Sequence, residues 1–338
     1  MRLRVPSRRM LLLLALALVV LVLAVAGCGS SGAASPSSSP AATAASGQSA
    51  DQIVKDSAAK MATIQSASFS ADFGLQVQGD TSKMTDPTSK ALLTQGITVH
   101  AEGKSQSKPA SAVDMTMSLG IAGQNIDFGL RAVGKKVWVQ YQGAWYAVDA
   151  KSTRTLGSQA QASSAPTQLK NLGIDPSSLA SYQLLGTEDL NGVQVYHVKA
   201  TADPKKLAAA LMKAATDPTL SKELGGASSQ LGTLGSGLTQ QGKQQAQQLA
   251  KSLKTATVDL WIGVDDQYLY KAQFDAALDT TGQQGAQGVT GMTLKGSVAL
   301  SGFNEPVKVA KPTSAKPFKT LLNQLFGGML GGSSSLSF

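Results

Sequence analysis

Apolar and polar residues alternate along most of this 338-residue chain. Phe69, Ala71, Phe73, Leu75 and Val77 are separated by Ser70, Asp72, Gly74 and Gln76, a period of two that predicts a strand with one buried face. The same spacing recurs at Val113, Met115, Met117, Leu119 and Ile121, and again at Ile126, Phe128 and Leu130 after a turn at 123–125. It continues through Val137, Val139 and Tyr141 after a turn at 134–136, and into "AWYAV". Asn191-Gly192 joins "YQLLGTEDL" to "VQVYHVKA", and Asn-Gly is the strongest short hairpin signal because both residues tolerate positive φ. Val258, Leu260, Ile262 and Val264 begin a last group, followed by Tyr268, Tyr270, Ala272, Phe274 and Leu278, then Met292, Leu294, Val298 and Leu300. With "ITVHAEG", about eleven strands result. Short connections and regular alternation predict an α+β protein built on a large antiparallel sheet, one face on a core and the other in water. A sheet this wide is expected to curve.

A period near 3.6 appears in few places. In "DQIVKDSAAKMATI", Ile53, Val54, Ala58, Met61 and Ile64 predict an amphipathic helix with Asp51 as its N-cap. Asp175-Pro176, Asp203-Pro204 and Asp217-Pro218 each set a capping acid before a proline, which suits a helix start. The stretch 203–255 holds "DPKKLAAALMKAA" and "TQQGKQQAQQLAKSLK" around a Gly/Ser-rich loop. It is read either as a cover over the sheet or as a mobile excursion. In the tail, 313–338, Phe318, Leu321, Leu322, Leu325 and Phe326 predict a short helix that docks on the sheet or touches lipid.

The N-terminus has a different character. Arg2, Arg4, Arg8 and Arg9 precede an apolar run from Met10 to Ala26, the layout of an export signal. Val25, Ala26 and Gly27 then stand before Cys28, the only cysteine. This resembles the bacterial lipobox, in which the thiol takes a diacylglycerol and cleavage leaves the cysteine first. Residues 1–27 are accordingly expected to be a lipoprotein signal peptide, and Cys28 the lipidated residue. An uncleaved membrane span is the other reading, since the run approaches the ~20 residues a bilayer needs. Either way the remainder faces out of the cytoplasm at the cell membrane. Residues 28–50, rich in Ser, Ala and Gly with two prolines, cannot bury a core and read as a flexible tether. The folded domain is expected over 51–312.

Charge and chemistry narrow the function by what they leave out. Removing the four N-terminal arginines from the net +9 leaves +5, with lysines spread along the chain, so no nucleic-acid partner is expected. A lipidated Cys28 leaves no thiol for a disulfide or a nucleophile. His100 and His197 are the only histidines and lack metal-site spacing, so neither a metal nor another cofactor is expected. No GxSxG, Walker or GxGxxG motif occurs in a catalytic context. Asp265-Asp266 falls between strands, where Asp is ordinary turn chemistry. Trp138, Trp145 and Trp261 lie in strands and read as packing residues. The chain is not expected to be an enzyme.

Several stretches together resemble the LppX/LprAFG lipoprotein family, whose fold is similar to the lipid carriers LolA and LolB. They are "AAKMATIQSASFSADF", "AVGKKVWVQYQGAWYAV", "GTEDLNGVQVYHVKA", "VDLWIGVDDQYLYKAQFDAAL" and "GSVALSGFNEPVKVAKP", in the family's order over most of 51–312. The resemblance implies a half-open β-barrel with helices covering its concave face, an apolar cavity between them, and acylated lipid or glycolipid as cargo. It also implies an envelope transport partner. The long insertion and the tail depart from the family pattern. Candidate cavity residues are Met115, Met117, Leu119, Phe128, Leu130, Leu260, Ile262, Phe274, Leu294 and Val298. Periodicity alone leaves a second reading open: the same side chains fill a core, and the domain is a lipid-anchored module that binds a protein. Replacing Cys28 with serine is expected to release the protein from the membrane or leave an uncleaved precursor on immunoblots. A processed, membrane-bound Cys28→Ser product would contradict the anchor.

Overall fold

Ser49 opens the first helix, α1 (Ala50–Met61), its Oγ accepting the Gln52 amide hydrogen at 3.3 Å. The cap is therefore Ser49 and not Asp51, which lies in the first turn where its charge favours the helix N-terminus. The computed structural model describes residues 47–83, 87–150, 179–207, 209–210, 252–281 and 289–326. The apolar run, Cys28, most of the tether, Asp175-Pro176, Asp217-Pro218 and nearly all of the expected helical insertion lie outside them. Asp203 does cap a helical turn, its Oδ1 accepting from Lys205 N–H at 2.8 Å and Lys206 N–H at 3.2 Å.

Eleven long strands form one sheet. They are β1 (Ser66–Gly79), β2 (Ile97–Gln106), β3 (Ala112–Ile121), β4 (Gln124–Val133), β5 (Lys136–Tyr141), β6 (Ala144–Val148), β7 (Ala180–Leu190), β8 (Val193–Ala202), β9 (Leu253–Gly263), β10 (Leu269–Asp279) and β11 (Val289–Ser301). A two-residue β12 (Lys316–Pro317) pairs in parallel with β6; every other pairing is antiparallel. The order β12-β6-β5-β4-β3-β2-β1-β11-β10-β9-β8-β7 is open, with β12 and β7 at its edges. The expected antiparallel sheet and strand number are present, as a sheet that does not close into a barrel. β12 escaped the sequence reading because two residues carry no period.

Three hairpins turn on residue pairs with both φ positive: Ala122-Gly123 (49° and 80°), Gln142-Gly143 (48° and 78°) and Asn191-Gly192 (55° and 87°). This conformation matches the strand twist and is open to glycine at little cost. The first turn thus falls one residue earlier than the spacing suggested. Bulges at Gln78/Gly79, Leu184/Gly186, Leu269/Lys271 and Ala277/Leu278 interrupt the registers and bend the strands.

Two further helices flank the sheet. α2 (Pro87–Gln95) links β1 to β2, and Leu93 in it is buried. The sequence reading had no helix there, although Asp86-Pro87 is the same helix-start pair singled out elsewhere. α3 (Phe318–Phe326) follows β12, as the spacing predicted, and docks on β6: Leu321 is 2% exposed and Tyr146 Oη donates to Gln324 Oε1 at 3.0 Å. The main core lies under α1, where Ile53 and Met61 meet Tyr196, Val198, Leu260, Ile262, Leu269 and Ala272. Ile262 is 1% exposed, so Ile262→Ala is expected to cost about 2–5 kcal/mol in a denaturant titration. A loss below about 1 kcal/mol would mean that the site collapses around the change.

Candidate functional site

In an antiparallel pair, directly opposed residues project to the same side. Phe69, Ala71, Phe73, Leu75 and Val77 of β1 oppose Gly103, Ala101, Val99 and Ile97 of β2 and, on the other flank, Leu300, Val298, Gly296, Leu294 and Met292 of β11. Carried outward, the registers add Met115, Met117 and Leu119, then Phe128 and Leu130, then Val139 and Tyr146. In the other direction they add Ala272 and Phe274, Leu260 and Ile262, and Val198. One face of the sheet is therefore apolar from edge to edge. All ten candidate cavity residues stand on it.

Burial divides those ten. Leu260 (3% exposed), Ile262 (1%) and Phe274 (3%) are packed: the first two sit under α1, and Phe274 lies 5.6 Å from the Phe73 ring. Met115, Met117, Leu119, Phe128, Leu130, Leu294 and Val298 are only half-buried, and Ile121 beside them is 38% exposed. The described helices make their main contacts elsewhere, α1 with β7 and β9, α2 with β1, and α3 with β6 and β12. Thus α1 and α3 stand at opposite flanks of the apolar face, and the half-buried strip of β3 and β4 lies between them. Phe128 and Tyr141, with centroids 5.6 Å apart, form its aromatic border.

The opposite face is polar, and several of its charged groups are engaged. Arg131 Nε donates to Asp114 Oδ1 at 3.0 Å, and its guanidinium lies 4.7 Å from the Trp145 ring centroid. Lys271 covers Trp261 at 4.5 Å, with the His197 ring stacked on the indole at 4.6 Å. His197 Nε2 is 3.0 Å from Asp259 Oδ1, and the Trp261 indole N–H donates to Glu188. The three tryptophans are thus packing residues of the polar face, as their strand positions suggested. His100 Nδ1 lies 2.7 Å from Asp72 Oδ1, and this hydrogen bond holds the imidazole pKa above its ordinary value. The two histidines occupy different places on the face, His100 against Asp72 and His197 between Asp259 and Glu188.

Two open grooves of about 680 and 620 Å³ run over this polar face. The larger is lined by Ser70, Glu102, Asp114 and Lys271 together with Phe69, Met115 and Leu300, so Met115 is the cavity candidate that borders it, and it reaches the β7–β8 turn at Asn191. The smaller lies over Asp72, His100, Lys271 and Lys295. Sequence reasoning missed these grooves, since alternate polar residues signal solvent and say nothing of how a bent sheet hollows. At one end Asp266 closes the β9–β10 turn, its Oδ1 accepting from Tyr268 N–H at 3.0 Å and its Oδ2 from Tyr270 Oη–H at 2.6 Å. This is the turn chemistry expected of the Asp265-Asp266 pair.

No protein-family model matches the sequence, and neither does any curated protein. Solved structures do match. The fold is similar to that of two mycobacterial lipoproteins. One is LppX of Mycobacterium tuberculosis, at 14% identity and TM-score 0.35, covering 77% of this chain and 97% of that one. The other is LprF of Mycobacterium bovis, at 13% identity and TM-score 0.38, covering 78% and 97%. A LolA superfamily protein of Nitrosomonas europaea follows at 10% identity and TM-score 0.14, covering 72% and 87%. What the apolar face can hold depends on its own side chains.

Burial, and then the hydrogen bond to Asp266, push the Tyr270 phenol above its ordinary range. The folded state therefore favours the neutral phenol, and this stability is present below the ordinary tyrosine pKa near 10 and lost as pH rises through the higher folded value. In an alkaline absorbance titration, one of the six tyrosines is expected to ionise late, and Tyr270→Phe should remove that phase. A titration unaltered by the substitution would refute the assignment.

Proposed function

We propose that this chain is a noncatalytic lipoprotein, anchored to the outer surface of the cell membrane through Cys28, that binds or carries acylated lipid or glycolipid against its apolar face. The observation that supports the reading is the half-buried strip of Met115, Met117, Leu119, Phe128 and Leu130 on the same face as the packed core under α1. A surface apolar over several adjacent strands has no role in water unless something covers it. An acyl chain is a suitable cover. Wetting its tail costs about 0.8 kcal/mol per methylene, roughly 12 kcal/mol for a sixteen-carbon chain, so a carrier must offer an equally apolar replacement for the bilayer. Two neighbouring methionines suit irregular tails because their side chains are unbranched and flexible. The packed part, under α1, supplies the rigid support.

The direct test is organic extraction of detergent-free protein beginning at Ala50, followed by mass spectrometry. A lipid at near-stoichiometric amount is expected, and Met117→Asp or Leu130→Asp should abolish it while circular dichroism keeps the strand signal. An empty extract together with no uptake of added envelope lipids would overturn the proposal and favour a face covered by a protein partner.

A further inference from the structure

After β11 the chain crosses the end of the sheet where β2, β4 and β6 finish and β5 begins. Val307 N–H donates to Gln106 Oε1 at 2.9 Å, Arg131 Nη1 donates to the Ala310 carbonyl at 3.4 Å, and Lys316 then pairs with Tyr146 in β12. This strap carries Lys308, Lys311 and Lys316, and α3 adds Lys319. Lys135 in the β4–β5 turn and Lys136 at the start of β5 sit at the same end of the sheet. All six side chains are exposed, and among the described residues none pairs with a carboxylate. The acidic groups nearby are Glu305 at the start of the strap, Asp149 after β6, and Asp114, which Arg131 already engages. From 306 to 338 the sequence has no Asp or Glu.

The strap also leads into an apolar element. α3 turns Leu321 into the sheet and leaves Leu322 38% exposed. Unpaired ammonium groups beside an outward leucine are the composition of a surface that rests on anionic headgroups, charge in the phosphate layer and aliphatic side chain at the acyl boundary. A polyanion such as nucleic acid would use the lysines and leave the leucine wet. With the anchor proposed above at Cys28, a flexible Ser/Ala/Gly-rich segment of this length, at ~5–6 Å times the square root of its residue number, would keep the domain within a few tens of ångströms of a membrane.

We propose that the C-terminal strap, the β4–β5 turn and α3 form a docking surface for an anionic lipid bilayer, separate from the apolar face. It orients the tethered domain with this end of the sheet toward the headgroups. The docking does not require that the apolar face carry lipid.

The test is hydrogen exchange of the full chain reconstituted in vesicles of pure phosphatidylcholine and in vesicles containing one-third phosphatidylglycerol. In both, the N-terminal segment holds the protein to the vesicle, so a difference reports contact by the domain. Exchange of the amides of residues 302–322 is expected to slow by about tenfold in the anionic vesicles only, and to recover in ~1 M salt, where screening falls to ~3 Å. A fourfold variant, K308Q/K311Q/K316Q/K319Q, should lose the protection, whereas the corresponding four Lys→Arg changes should keep it. Equal exchange in both vesicles overturns the proposal, as does protection that survives the glutamine variant. Protection in neutral vesicles on adding soluble polyglutamate, with none from phosphatidylglycerol, would assign the surface to an acidic protein instead and also overturn it. If the glutamine variant fails to fold, the salt dependence of the unaltered chain decides.

Discussion

The structure depends on the side-chain period of two and on the registers that carry it from β1 to both edges. A slip of one residue at any pairing would turn the whole apolar set of that strand into water and bring Ser, Asp and Lys against the core. The pairings Phe73 with Val99 and Ala71 with Val298 therefore do more than join three strands. They determine that Met117, five strands away from Leu260 on the far side of β1, looks in the same direction as Leu260. The tight turns secure the hairpin registers. At Asn191-Gly192 the turn is tied further by Asp189, whose Oδ1 accepts the Gly192 amide hydrogen at 2.8 Å.

On that common face two uses of apolar surface stand side by side. Under α1 the face behaves as a core, with Val198 wholly buried; farther along β10, Phe274 fills the space that Gly296 leaves without a side chain. A Cβ at Gly296 would run into the Phe274 ring, so the glycine is a packing requirement of the aromatic residue across from it. Between α1 and α3 the same alternation yields half-buried side chains. The chemistry of the residues is alike in both places. What differs is whether a described helix lies over them.

This difference explains how far the sequence could be read. The eleven long strands, the first and last helices and the common face of the ten candidates follow from spacing, because period and register are local properties repeated many times. Which of those ten are packed and which half-exposed does not follow, because Leu260 and Met117 have the same pattern around them. The Ser49 cap was missed for a smaller reason: Ser and Asp both suit an N-cap, and only the first hydrogen-bonded turn separates them. The strap was illegible for another, since Gln106 and Arg131 meet Val307 and Ala310 across about two hundred residues of chain.

The place of β1 in the sheet has a consequence for how the protein comes to be folded. β1 is the first strand made, yet one of its two partners is β11, and Asn304 Oδ1 reaches Gln65 N–H across 239 residues. Contacts this distant in sequence close slowly, because a long loop must be ordered before the pairing stabilises it. As the chain is made from its N-terminus, β1–β6 can pair in succession, while the second flank of β1 stays unsatisfied until the last third of the chain has followed. During that interval Phe69, Phe73 and Leu75 belong to an edge strand. Newly made molecules therefore pass through a state in which one edge of β1 is open, and the arrival of β11 ends it.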